Sequence, residues 1–220
     1  MYNVSKTCQI SGLDSIYQNY FGYPSKGFFV EVGANDGEFV SNTSCLSDHG
    51  WKGIYVEPVT QFYNQCTLRH IKNDVTVINC AIGSQEGEID LYVGGALTTT
   101  DPKQVERYSE IDFAKTMKFS KTTCKQIRLD TLLKNNNVKP NFDLLVVDVE
   151  GQESDVINSF NISYWKPKML IVKLEDNHVA FKPFQDLVAK IKTTRQHIID
   201  SGYVELYSDT INTIFVVKES

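Results

Sequence analysis

The stretch 26–39, KGFFVEVGANDGEF, constrains the fold more than any other part of the chain. Phe28, Phe29, Val30 and Val32 are apolar on both alternating faces, the pattern of a strand covered on both sides, with Glu31 as its interruption. Gly33, Ala34, Asn35, Asp36 and Gly37 follow as a turn. A helix over 41–49 comes next, with Ser41 or Asn42 as its N-cap. Strand, glycine turn and helix open an α/β sheet that binds a nucleotide at the carboxyl ends of its strands. Glycine at position 33 allows a tight turn and a close approach of ligand to backbone, because it has no Cβ.

A second short strand, 53–57 (GIYVE), ends in Glu57 and is followed by Pro58. A carboxylate there accepts hydrogen bonds from both hydroxyls of a ribose, so the order of elements predicts an adenosine ligand. The dinucleotide fingerprint G-x-G-x-x-G is not met. Asn35 stands where the second glycine belongs and Gly37 falls one residue early, which disfavours a nicotinamide oxidoreductase.

Helical spacing of Ile10, Leu13, Ile16, Tyr17 and Tyr20 makes 1–25 a helical cap against the sheet edge, ended by Gly22 and Pro24. Tyr17, Tyr20, Phe21 and Tyr23 read as packing residues. After 53–57 the pattern gives a helix over 59–71 with Phe62, Leu68 and Ile71 inward, a strand over 75–82, and a second strand, 88–93, joined to it by a hairpin loop at 83–87. The segment 94–121 breaks the alternation. It opens with Gly94-Gly95 and continues polar, so it reads as a partly helical lid or specificity insertion hinged at the glycines. A strand at 123–129, a short helix capped by Asp130, an apolar strand at 143–149, a helix at 153–160 and a strand at 169–175 follow. A helix over 181–199 and two adjacent strands, 203–208 and 212–217, close the chain as an antiparallel hairpin. The whole, 1–220, reads as one domain: an open α/β sheet with an antiparallel edge. Glu31, Glu57, Asp148 and Glu150 converge at the carboxyl ends of its strands.

A net charge of −5 supplies no global basic field for nucleic acid, and Lys115, Lys118, Lys121 and Lys125 read as a solvated face. The five cysteines are odd in number, widely spaced and form no C-x-x-C, which argues against a disulfide framework or a zinc site and for reducing conditions. The amino terminus lacks the apolar core of a signal peptide, and no apolar run approaches the ~20 residues that span a membrane. A cytoplasmic, soluble protein is expected. Oligomeric state cannot be read from the sequence.

Asp148, Glu150 and Glu153 gather at the end of one apolar strand. Collecting carboxylates there is costly unless a cationic ligand, a metal or an acidic hydroxyl uses them. Glu153 is accounted for by the start of the next helix; Asp148 is not.

The sequence resembles the FkbM-type family of S-adenosylmethionine-dependent O-methyltransferases in these segments and others. The matching segments are Val30-Glu31-Val32-Gly33-Ala34-Asn35-Asp36-Gly37, Val56-Glu57-Pro58, Arg128-Leu129-Asp130-Thr131-Leu132-Leu133, and Asp143-Leu144-Leu145-Val146-Val147-Asp148-Val149-Glu150-Gly151-Gln152-Glu153. A lysine that the family often carries ahead of Asp148 is absent, with Val146-Val147 in its place. The resemblance implies a Rossmann-like class I methyltransferase fold: a seven-stranded, mostly parallel sheet with the last pair reversed and helices on both faces. It also implies S-adenosyl-L-methionine at the strand tips. Glu31, Gly33, Ala34, Asn35, Asp36 and Asp148 would surround the methionine half, Glu57 and Pro58 the ribose, and Asn79, Cys80 and Ala81 the adenine. A base would take the proton of a sugar, glycan or related small-molecule hydroxyl, with Glu150, Asp148, Glu175 and His178 as candidates. Mg2+ on Asp148 and Glu150 is conceivable chemically but not expected. The competing reading is a catalytically silent methyltransferase-fold binding module.

Overall fold

The computed structural model describes residues 2–23 and 25–218. In chain order the first elements are α1 (Leu13–Phe21), β1 (Phe28–Val32), α2 (Ser44–Asp48), β2 (Lys52–Val56), α3 (Thr60–Arg69), β3 (Val75–Ile78), β4 (Ala81–Ile82) and β5 (Gly87–Val93). A 3-10 turn at Gly95–Leu97 leads to α4 (Pro102–Glu110) and β6 (Ser120–Ile127). Then come α5 (Leu129–Asn135), β7 (Leu144–Val147), α6 (Glu153–Asn158), α7 (Ile162–Trp165), β8 (Met169–Lys173), α8 (Gln185–Asp200), β9 (Tyr203–Ser208) and β10 (Asn212–Val217).

Seven strands form the main sheet in the order β3-β2-β1-β7-β8-β10-β9. β3 to β8 run parallel, and β10 pairs antiparallel with both β8 and β9. This is the Rossmann-like, mostly parallel sheet with a reversed C-terminal hairpin that the sequence predicts. Strand alternation divides the core into two layers. Phe29, Tyr55, Leu144, Val146 and Ile171 point to one face, where Leu13, Tyr17, Leu46 and Cys66 cover them. Val30, Val32, Val56, Leu145, Val147 and Val172 point to the other, against Leu133, Val156, Ile157, Ile191 and Ile198. All four residues of β7 are fully buried. Each such aliphatic side chain contributes about 1.5–3 kcal/mol when taken out of water.

Several expectations are corrected. α1 lies across one face of the sheet rather than its edge, because Leu13 and Tyr17 pack on Phe29 and Tyr55; Gly22 caps it with φ 81°, and Pro24 lies outside the described residues. The 75–82 run is two strands, not one. Asn79 breaks it by donating its side-chain amide to the carbonyls of Glu57 (2.8 Å) and Pro58 (3.0 Å). Ala81–Ile82 then joins a second, three-stranded sheet in the order β4-β6-β5, so β5 pairs with β6 instead of forming a hairpin with its predecessor. Leu68 in α3 and Ile71, two residues past its end, face solvent at 68% and 72% exposure; only Cys66 of that helix is buried. α2 starts after Thr43, since Ser41 Oγ already accepts from the amides of Thr43 and Ser44. Asp130 lies inside α5, accepting from Trp165 Nε1 rather than capping the helix. α7 is an element the sequence reading does not contain.

Candidate active site

The carboxyl ends of β1, β2 and β7 meet at one edge of the sheet. There the turn after β1 and the turn after β7 touch. Gly33 has φ 92°, and a Cβ on it would stand 1.7 Å from the carbonyl oxygen of Asp148. Glycine is the residue this approach permits. The amides of Gly33 and Ala34 bond to the Val56 carbonyl at 3.0 and 3.1 Å, which binds the turn to the end of β2.

Glu57 follows β2 and is buried. Its two oxygens each accept one backbone N–H, from Asn35 and from Val59, both at 2.8 Å. Burial pushes its carboxyl up to about 7 despite those bonds. Around it lies a cavity lined by Gly33, Asn35, Pro58, Cys80, Ala81 and Asp148 among others. Its roof is 95–100 of the segment between β5 and β6.

A second cavity opens beside the first and shares Gly33, Asn35, Ala96, Asp148 and Glu150 with it. Its floor holds Asp148, Glu150, Lys173 and Glu175, and its wall carries Tyr108, Phe113, His178 and Phe181. Lys173 ends β8, beside β7 in register Val147↔Val172. Its ammonium bonds Glu150 and lies 3.4 Å from Asp148 and 4.0 Å from Glu175. Burial alone works against that cation; the three carboxylates outweigh it and hold the lysine well above its ordinary value. The Tyr108 hydroxyl donates to the other oxygen of Glu150, and burial followed by the Glu150 charge keeps this phenol protonated. Glu150 itself sits at φ 53°, with its carbonyl accepting from Thr99 Oγ1 at 2.8 Å. Burial pushes Glu175 up to about 8 against the pull of Lys173.

The predicted site residues thus fall into three groups. Gly33, Asn35, Glu57, Pro58, Cys80, Ala81 and Asp148 line the first cavity; Asp148, Glu150, Glu175 and His178 line the second. Four others stand behind or aside. Glu31 is buried beneath the turn and accepts from Ser41 Oγ, Thr43 Oγ1 and the Asn42 amide, so it anchors the 41–44 loop. Asp36 Oδ1 accepts from the amides of Glu38 and Phe39 and shapes the turn. Ala34 is buried, and Asn79 braces the end of β2. Glu150, bonded on both oxygens, is not a free carboxylate. Among the described residues no group of three or more His, Cys, Asp or Glu side chains is placed to hold a metal ion.

The sequence also matches the model of the methyltransferase FkbM domain over residues 31–204. The chain belongs to the FkbM methyltransferase family. No curated protein matches it. Among solved structures, a candidate caffeoyl-CoA O-methyltransferase from Staphylococcus aureus shares the fold at a TM-score of 0.51 and 13% identity, over 93% of this chain and 82% of that one. A precorrin-6y C5,15-methyltransferase from Geobacter metallireducens aligns over 97% of this chain and 92% of that one, at 10% identity and a TM-score of 0.46. A SAH-bound Podospora anserina methyltransferase aligns over 88% and 72%, at 9% identity and a TM-score of 0.49.

In this FkbM-family chain the residues that sequence reasoning misses are Lys173, Tyr108 and Thr99. The charge of Lys173 inside the apolar run MLIVKLE is the single local signal that any of them offers. No described helix is long and apolar enough to cross a membrane.

Proposed function

We propose that the chain is a cytoplasmic, S-adenosylmethionine-dependent O-methyltransferase acting on a hydroxyl of a sugar, glycan or related small molecule. The observation that carries this reading is the junction of two cavities at Gly33, Asn35 and Asp148, one walled by Glu57 and apolar side chains, the other floored by carboxylates and walled by aromatics.

The donor set fits S-adenosylmethionine. Each oxygen of Glu57 holds one N–H bond, which leaves acceptor capacity toward the cavity for the ribose hydroxyls. Cys80, Ala81, Ile82 and Leu91 offer an apolar slot for the adenine, and Asp148 offers negative charge at the junction. When bound, S-adenosylmethionine supplies a methyl group on a sulfonium leaving group. The protein's work is then alignment and proton removal. Phe113 and His178 present faces on which a sugar ring can stack. Glu175 is the floor carboxylate suited to take the hydroxyl proton, because Glu150 is paired directly with the Lys173 ammonium while Glu175 lies 4.0 Å from it. The first cavity holds about 70 Å³, below the roughly 300 Å³ at which ligand pockets begin.

Isothermal titration with S-adenosylmethionine and its demethylated product tests the reading. The wild-type chain should bind, and Glu57→Ala should bind at least ~1 kcal/mol more weakly, the scale of a lost hydrogen bond to a charged group. A folded wild type that binds neither compound would refute it.

A further inference from the structure

A lysine buried among three carboxylates at the floor of a cleft needs a reason, since its ammonium gives up water to be there. We infer that Lys173 is a positioning residue for methyl transfer: it fixes Glu150 as a strut under the 94–119 lid and leaves Glu175 as the floor carboxylate that receives the acceptor's proton. This rests on the methyltransferase reading above.

The geometry divides the labour. Glu150 is held from three sides: Lys173 on one oxygen, the lid's Tyr108 on the other, and the lid's Thr99 on its carbonyl. It keeps a left-handed backbone, φ 53°, that a non-glycine residue adopts at a cost. Its charge is paired directly with the Lys173 ammonium, and an adjacent cation lowers the affinity of a carboxylate for a substrate proton. Glu175 lies across the same ammonium at 4.0 Å, too far for a hydrogen bond but close enough for its charge to be felt. The other titratable groups about Glu175 are Asp148 beyond β7, Glu150 in the turn and Glu153 at the start of α6, carboxyls whose charge opposes its ionisation. His178 stands in its own loop with its backbone amide on the Glu175 carbonyl, while Asp176 turns away to Arg195 of α8 at 2.7 Å. Lys173 is thus the cation that makes ionised Glu175 attainable near neutral pH. In the step it serves, the acceptor oxygen gives its proton to Glu175 and forms the new O–C bond, while the C–S bond breaks with its electron pair staying on sulfur.

The test compares the wild-type chain with Lys173→Met, Lys173→Arg and Glu150→Gln. Carbon-13 NMR of carboxyl-labelled glutamates, assigned with Glu175→Gln, follows the titration of Glu175 without any ligand. The acidic limb of kcat/KM for the acceptor follows it in turnover. Lys173→Met should move both upward by about one pH unit or more, the effect of losing an opposite charge at this range. Lys173→Arg should restore them toward wild type. Glu150→Gln should move both downward, because it removes a negative neighbour and frees the lysine. This variant keeps the buried cation, so it still decides the matter if Lys173→Met does not fold. A Glu175 titration unmoved in the folded variants would overturn the inference. So would loss of turnover in Glu150→Gln with turnover kept in Glu175→Gln, which would make Glu150 the base. Failure of the wild type to bind S-adenosylmethionine, with the NMR shifts as described, would sink the methyltransferase reading while supporting the coupling of Lys173 to Glu175.

Discussion

The carbonyl oxygen of Asp148 occupies the space in which the Cβ of any other residue at position 33 would have to lie, 1.7 Å from its ideal place. Two turns from distant parts of the sequence are packed backbone to backbone at the edge of the sheet. Gly33→Ala should therefore push the β1 and β7 turns apart, and the positive φ of 92° adds strain of its own. We expect a loss of about 3 kcal/mol or more by urea denaturation, together with loss of S-adenosylmethionine binding by calorimetry. Full retention of both would mean that the two turns are not held in contact.

Tyr108 is buried in α4, and its hydroxyl donates to the Glu150 carboxylate while its ring stacks on Phe119 at 5.9 Å. Tyr108→Phe keeps the ring and removes the donor. The expected loss is about 2 kcal/mol, as for a hydrogen bond to a charged group. Hydrogen exchange should locate that loss in 102–119, leaving β1, β2 and β7 protected as before.

Glu31, Glu57 and Glu153 are each pushed by burial up to about 7 from the ordinary 4.5. In the unfolded chain they ionise near 4.5; in the native state they hold their protons until about 7. The native state therefore binds more protons across that window, and the stability these three carry should fall as pH rises from 4.5 to about 7, with Glu175 extending the fall to about 8. Glu153→Gln can keep the bonds from the Val149 and Gly151 amides through its carbonyl oxygen. Denaturation midpoints for this variant should show a shallower fall, by up to one proton's slope. An unchanged slope would place the ionisation elsewhere.

Glu175 and His178 share a cavity but differ in depth: Glu175 is on the floor with Lys173, while His178 is in the following loop against Phe113, with ring centroids 6.2 Å apart. Steady-state kinetics at saturating S-adenosylmethionine should separate them. Glu175→Gln should lower kcat by about 10² or more, the range of a lost general base. His178→Ala should act mainly on the KM of the acceptor. The reverse pattern would make the histidine the base.

What the sequence disclosed follows from where its information is local. The β1 turn, Glu57 and β7 are legible because short, mainly apolar runs end there in glycine or a carboxylate. The break at Asn79 is not, since one Asn inside the apolar run VTVINCAI is a weak breaker by type, and the residue is turned aside by the carbonyls of Glu57 and Pro58 after β2. Leu68 and Ile71 look inward by type, yet the face of α3 is set by Cys66 against the core. Lys173 acquires its meaning from the β7–β8 register, and Tyr108 from a contact 42 residues away in the chain. Neither relation leaves a periodic trace.

The segment 94–119 leaves the small sheet from β5 and returns through β6, and its two roots, Val93 and Ser120, are paired neighbours. Such a closed base makes 94–119 a cassette. Its ends stay at a fixed spacing whatever lies between them, and the main sheet takes no part in that pairing. Variation between Val93 and Ser120 can therefore reshape the walls of both cavities while the strand pairing of the main sheet stays as it is.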